Sequence, residues 1–329
     1  MAPPAALVRT ARSLWHAQWL ALMGGLGPAD QQGRYRRPAA AFSSLPALPD
    51  DAAEPNSHVL IVGRSCPWAH RAWISHTLRQ LGESIAVEVV DPDPAAGRWR
   101  FSSPFEGCAT LADLYLDSGA DATLPATVPA LYSRRRRRIV VNESARLIEL
   151  LDGWPGPGPQ LWPEAQRAAI ERWRERFQQQ VNDGVYRCGF ARNQAAYDEA
   201  EGELFAALEA AEARLRLRED AQATSSIWLC EGPSPTLADL VLFPTLIRLE
   251  LVYAPLFGCS RLPMAQLPAL SRWRARFYDL GGVAATCFPE AWRRDYFGAL
   301  FPLHPSGIIP AGPDLATLVA GIAPPASTP

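Results

Sequence analysis

Cys66 is followed by Pro67-Trp68-Ala69-His70-Arg71, and the apolar run Val59-Leu60-Ile61-Val62 leads into it through Gly63-Arg64-Ser65. A helical pattern continues through Trp73, Ile74 and Leu78. The thiol therefore stands where a strand gives way to a helix, with Pro67 at the first helical position, where its missing N–H costs nothing. A sulfur there faces unpaired backbone N–H groups and the positive end of the helix dipole. Both favour the thiolate, which is the nucleophilic form, so a lowered pKa is expected. On these residues alone two readings stand open: a nucleophile, and a buried inert cysteine beside a helix start. His70 lies one turn on and can share a face with Cys66. A structural histidine bonded to backbone is expected there in preference to a base.

The other cysteines, at 108, 188, 230, 259 and 287, are widely spaced, and no Cys-x-x-Cys pair occurs. Zinc ribbons and dithiol redox motifs are therefore not indicated, and no metal is expected. Any chemistry at Cys66 is that of a single thiol, and a reducing cytoplasm is the expected location. The chain has 329 residues, 48% of them apolar, and a net charge of -2. That length allows two domains, and the near balance of charge gives no reason to expect nucleic acid as a partner. All 32 basic residues are Arg, which removes lysine Schiff-base chemistry. No membrane span is expected, since no stretch reads as about 18 apolar residues. Residues 1–29 lack acid and contain an apolar patch at 14–23 interrupted by His16 and Gln18. A short amphipathic helix packed on the body is expected in preference to a secretory signal.

The elements that must position these residues follow a β-α-β order from His58. Strands are expected at 58–62 and 85–90, with a helix at 67–81 between them. Residues 91–126, with Trp99 and Phe101, read as an irregular insertion. Strands at 128–132 and 139–141 are joined by the tip Arg134 to Arg138, and Asn142 is the expected cap of a helix at 143–151. After the Pro/Gly linker at 154–159 the pattern becomes helical only. Residues 165–181, 197–216, 236–251 and 267–280 carry apolar side chains at i, i+3 and i+4, and Thr236 to Asp239 forms a capping box. Residues 306–329 read as an extended or disordered tail. The expected organisation is an extension and linker at 1–57, an α/β domain at 58–152, a linker at 153–163, an all-α domain at 164–300 and a tail at 301–329.

A βαβ unit, a ββα unit and a helical domain, in that order, form the plan of a thioredoxin-like glutathione transferase. Longer strings narrow the likeness. Cys66-Pro67-Trp68-Ala69-His70-Arg71, Asn142-Glu143-Ser144, the run 184–191, Val252-Tyr253, Asp295-Tyr296 and the run 305–310 resemble the Xi-class glutathione transferases, the glutathionyl-hydroquinone reductases. The resemblance covers residues 33–313. Residues 1–32, the loop at 45–57, residues 121–127, the Arg run and Arg187-Cys188 depart from it.

The resemblance implies glutathione as co-substrate and glutathionylated quinols as substrates. It implies a cis bond at Val128-Pro129, whose outward backbone pairs with the cysteinyl part of glutathione. Glu143 would take the γ-glutamyl ammonium, Ser144 and the helix-start N–H groups the carboxylate, and Trp99 the glycyl end. Tyr186, Tyr253 and Tyr296 would face the quinol, each with a hydroxyl and an apolar ring. Cys66 would become a mixed disulfide with glutathione, resolved by a second glutathione. A homodimer through the helical domain is also implied. Two rival readings are an Omega-like thiol transferase or dehydroascorbate reductase using the same Cys66, and a non-catalytic binding module that keeps the fold as a scaffold.

Overall fold

The computed structural model describes residues 4–93, 97–220, 227–300 and 303–320. An opening helix, α1 (Ala5–Leu26), precedes a mixed sheet of six strands in the order β4-β3-β2-β1-β5-β6. β1 (His58–Gly63) is buried at every residue and pairs in parallel with β2 (Ile85–Asp93) and antiparallel with β5 (Ala130–Ser133). Such a central strand is a near-continuous apolar run because both of its faces are covered. α2 (Pro67–Leu78) returns the chain from β1 to β2. β6 (Arg138–Val141) closes one edge, and α4 (Ser144–Asp152) follows it.

Within residues 91–126, expected to be irregular, 91–93 and 98–110 extend the sheet instead, while 118–126 are irregular as expected. β3 (Arg98–Phe105) pairs antiparallel with a β2 prolonged to Asp93, β4 (Cys108–Thr110) pairs with β3, and α3 (Leu111–Asp117) follows. Trp99 and Phe101 alternate with Arg98 and Arg100, the period of a half-covered strand. The expected Asn142 cap is also corrected. Glu143 caps α4, accepting from Ala145 N–H at 3.3 Å. Asn142 instead holds the N-terminal segment: its Oδ1 accepts from Phe42 N–H at 2.7 Å, its own N–H donates to Phe42 C=O at 3.0 Å, and Nδ2 donates to Thr127 Oγ1 at 3.0 Å. These partners lie far along the chain, so only folding supplies them. The Arg tip forms ion pairs between Arg135 and Asp51 at 3.2 Å and between Arg134 and Glu106 at 3.2 Å.

The second part is helical. α5 (Arg167–Arg176) runs into a π turn, Phe177–Asn182, and then α6 (Gly184–Gly189). α7 (Gln194–Asp220) is the longest helix. α8 (Leu237–Leu246), the π turn Leu249–Tyr253 and α9 (Ala254–Phe257) form one apolar rod. By length and composition this rod could cross a membrane, contrary to the expectation that no stretch would, but 83% of its apolar window is buried inside the helical domain. The Thr236–Asp239 box is present, and buried Asp239 also accepts from Leu229 N–H and Trp273 Nε1–H. α10 (Pro268–Tyr278), α11 (Pro289–Ala299) and α12 (Leu315–Val319) complete the described residues. α6 and α11, which the apolar spacing did not indicate, each carry one of the candidate tyrosines. α12 corrects part of the expected tail; residues 321–329 lie outside the described residues. α1 is longer than expected, and Met23 is its one buried residue.

Candidate active site

α2 joins the two parts and carries the thiol at its N-cap. Cys66 is half-buried. Its sulfur accepts from Ala69 N–H at 3.5 Å and donates to Val128 C=O at 3.4 Å. The Val128–Pro129 bond is cis, as the resemblance implied. The expectation of a lowered thiol pKa needs correction. Burial pushes the Cys66 thiol up, while the N–H groups of Ala69 and Trp68 and the charges of Arg248 and Arg37 pull it down without cancelling the burial. The helix start does what its geometry predicts, but the enclosure around the sulfur outweighs it.

The helix start of α4 supplies the neighbouring group. Ser144 is buried, and its hydroxyl has no hydrogen-bond partner among the described residues. A buried hydroxyl without a partner is costly, which suits a ligand-facing group. Glu143 lies 3.5 Å from the Arg37 guanidinium. Trp99, on β3, lays its ring across the end of β1: a Cβ added at Gly63 would stand 2.6 Å from it. Gly63 is therefore required by close approach, not by backbone angle.

The three tyrosines come together from three elements. Tyr186 and Tyr296 join hydroxyls at 2.5 Å, and Tyr253 reaches Tyr296 at 3.3 Å. Tyr253 and Tyr296 are buried, whereas Tyr186 is half-buried and stacks on Trp68 with ring centres 6.1 Å apart. Burial, reinforced by the neighbouring hydroxyls, pushes Tyr186 and Tyr296 well above the ordinary tyrosine value, and burial raises Tyr253. All three are proton donors at neutral pH. A charge on Cys66 would raise Tyr186 and Tyr253 further.

His70 is not the partner of the thiol. Its Nε2 meets Thr286 Oγ1 at 2.9 Å, its Nδ1 meets Arg248 Nη1 at 2.8 Å, and burial followed by the Arg248 charge holds it well below its ordinary value. It is structural as expected, but its partners are side chains and not backbone.

Residues 34–42 contribute a part that the sequence did not reveal. The Arg37 guanidinium sits 3.9 Å from the centre of the Trp68 ring, a contact worth about 0.5–1 kcal/mol at a part-exposed site. Tyr35 lies 6.4 Å from Tyr186 by ring centres. Together with Trp68, Val128 and Pro129, this strap walls a cleft of about 170 Å³. Tyr35 and Phe42, aromatic residues within a Pro/Ala/Arg segment, were the available signal. The larger hollow, about 720 Å³, lies between α1 and the turn from α6 to α7, lined by none of the candidate residues. Among the described residues no His/Cys/Asp/Glu group could hold a metal ion.

Residues 194–276 match the glutathione S-transferase C-terminal domain family. The chain is 34% identical over 272 residues to the glutathionyl-hydroquinone reductase PcpF of Sphingobium chlorophenolicum, covering 79% of this chain and 84% of that protein. It is 30% identical over 322 residues to the glutathionyl-hydroquinone reductase YqjG of Escherichia coli (strain K12), covering 91% and 93%. The crystal structure of the glutathione S-transferase Xi from Phanerochaete chrysosporium superposes with a TM-score of 0.78 at 30% identity, over 87% of this chain and 94% of that one. The glutathione-bound structure of YqjG gives a TM-score of 0.71 at 31% identity, over 80% and 87%. The chain with its N-cap thiol, cis Val128–Pro129 bond and linked tyrosines thus belongs to the glutathionyl-hydroquinone reductases, the Xi class of the glutathione transferases.

Proposed function

We propose that this enzyme reduces glutathionyl-hydroquinones to hydroquinones at the expense of glutathione, through a mixed disulfide at Cys66. The observation that carries the reading is an N-cap thiol whose near neighbour Trp68 stacks on the first of three tyrosines linked through their hydroxyls. The Cys66 thiolate attacks the sulfur of the substrate. The carbon–sulfur bond breaks, its electron pair goes to the ring carbon, and a tyrosine hydroxyl delivers a proton there. Cys66 then carries glutathione in disulfide linkage. A second glutathione thiol attacks that disulfide, releases oxidised glutathione and restores Cys66. One protein thiol suffices.

Each binding residue has a matching chemistry. The Val128 backbone pairs with the cysteinyl part of glutathione. An N–H that occupies Val128 C=O withdraws the acceptor of the Cys66 S–H bond and so favours the thiolate. Glu143 takes the γ-glutamyl ammonium beside Arg37, Ser144 and the α4 N–H groups take the carboxylate, and Trp99 takes the glycyl end. Tyr186, as the half-buried end of the hydroxyl chain, meets the quinol. The proposal includes a homodimer and a cytoplasmic setting; six free cysteines agree with a reducing compartment.

Mass spectrometry of the protein mixed with a glutathionyl-hydroquinone tests the intermediate. A glutathionyl group on the peptide containing Cys66 is expected, together with free hydroquinone in equal amount. Hydroquinone release without any adduct would sink the mixed-disulfide step. An Omega-like thiol transferase would form the adduct from small disulfides and leave the glutathionyl-hydroquinone intact.

Removing the Ser144 hydroxyl is expected to raise the KM for glutathione several-fold with kcat nearly unchanged, because the bond is made equally in the ground and transition states. Steady-state kinetics of Ser144→Ala decide this; a lower kcat at constant KM would take Ser144 out of glutathione binding.

A further inference from the structure

Arg248 is fully buried, and among the described residues no carboxylate pairs with it. Its Nη1 donates to His70 Nδ1 at 2.8 Å and to Pro244 C=O at 2.9 Å, and its guanidinium lies 4.1 Å from the centre of the Trp292 ring. Its Nε and Nη2 are buried without a hydrogen-bond partner among the described residues. A buried cation is normally paired, since desolvating an ion without compensation is unfavourable. Arg174 pairs with Glu149 at 2.7 Å and Arg274 with Glu250 at 2.6 Å. Buried Arg71 has no carboxylate either, but both of its Nη atoms donate to amide oxygens, those of Gln178 and Asn182 at 3.0 Å, whereas Arg248 has Nη2 as well as Nε unpartnered. His70 cannot compensate the charge. It is held neutral, and with its Nδ1 accepting from Arg248, its Nε2–H points to Thr286 Oγ1.

The guanidinium is held between elements that carry the site. It touches His70, one turn after Cys66 on α2, and Trp292, one turn before Tyr296 on α11, while the Arg248 C=O accepts from the Tyr253 N–H at 3.4 Å. Its charge acts on His70, Tyr253, Tyr296, Cys287 and Cys66. Cys66 also faces Arg37 from the strap, Tyr115 from α3, and Tyr186. Every one of these is neutral or cationic at neutral pH unless Cys66 or a tyrosine gives up its proton. The guanidinium pulls the acidities of Cys66, Tyr253 and Tyr296 in the same direction, toward the anion, against burial.

We propose that Arg248 is a positioning residue whose unpaired buried cation holds the negative charge of the reaction, first on the Cys66 sulfur and then on the Tyr186–Tyr296–Tyr253 hydroxyl chain. The second role rests on the reaction proposed above. When the carbon–sulfur bond breaks and a tyrosine protonates the ring carbon, a tyrosinate remains. That anion would be unsupported in a dry site without a fixed cation. The proton lost when the second glutathione attacks the mixed disulfide returns to it. The charge therefore moves from sulfur to oxygen and back beside one stationary guanidinium. Its cost is borne by the resting enzyme in exchange for preorganisation.

The test uses alkylation of Cys66 by iodoacetamide between about pH 5.5 and 9.5, read by mass spectrometry on the Cys66 peptide. It needs neither glutathione nor quinol, so it remains decisive if the substrate assignment fails. Arg248→Met is expected to move the profile to higher pH by about one unit and slow alkylation at pH 7 by about tenfold. Arg248→Lys, which keeps the charge but loses the fork, and Thr286→Ala, which frees His70 but keeps the charge, are expected to leave the profile in place. A profile for Arg248→Met that coincides with the unaltered enzyme overturns the proposal. Equal shifts in all three variants overturn it too, because packing alone would then account for the effect. Circular dichroism checks folding. If Arg248→Met does not fold, Arg248→Gln takes its place: a profile moved to higher pH supports the charge, and an unmoved one refutes it.

Discussion

Cys66→Ser is expected to lower turnover of a glutathionyl-hydroquinone by at least about 10³-fold while leaving the fold intact. A hydroxyl cannot form the sulfur–sulfur bond of the proposed path, so no weaker version of that path remains. The fold should survive because serine is itself a favoured N-cap and can accept from Ala69 N–H as the sulfur does. Glutathione binding should also survive, since the proposed ligands Val128, Glu143, Ser144 and Trp99 are untouched. Steady-state assays, a thermal melt and a glutathione titration are the three measurements. Turnover within about tenfold of the unaltered enzyme would end the role of Cys66 as nucleophile. Lost turnover together with lost folding would leave only the serine replacement at fault, and Cys66→Ala would then replace it.

Tyr186→Phe is expected to cost on the order of 10²-fold with a glutathionyl-hydroquinone, the usual worth of a positioned general acid. The effect should be selective. A small disulfide that needs no ring protonation should be turned over nearly as before, because Phe keeps the stacking on Trp68. Tyr186 is chosen over its partners because it is the half-buried one; Tyr253 is fully buried. Tyr253→Phe removes the far end of the chain and should cost several-fold, near the net worth of one neutral hydrogen bond, about 0.5–1.5 kcal/mol. Parallel assays of the two variants on the two substrates settle the matter. Equal loss on both substrates would make the tyrosines structural, and no loss on either would move the quinol elsewhere.

The active-site plan was legible in local sequence where local chemistry is enough to specify it. A strand, a tight turn and Pro at a helix start leave Cys66 little freedom, and the run 58–62 is apolar throughout because β1 is covered on both faces. The Thr236–Asp239 box states its own helix start. The strings at 66–71, 142–144 and 184–191 carried the family. What the tertiary structure alone decided concerns partners distant in the chain. Asn142 looked like a cap until Phe42 and Thr127 arrived to claim it. Residues 91–126 needed the prolonged edge of β2 before Trp99 and Phe101 could read as a strand. Residues 34–42, part of the expected N-terminal extension, gave no sign of a place at the site until Arg37 lay across Trp68. The thiol shows the limit most plainly. Its helix start is written in the sequence and favours the anion, whereas the burial that opposes it, and the unpaired Arg248 that counters part of that burial from 182 positions further along the chain, come only with folding. Spacing along the chain records backbone geometry; the dielectric around a group, and the charges that share it, exist only once the chain has closed around it.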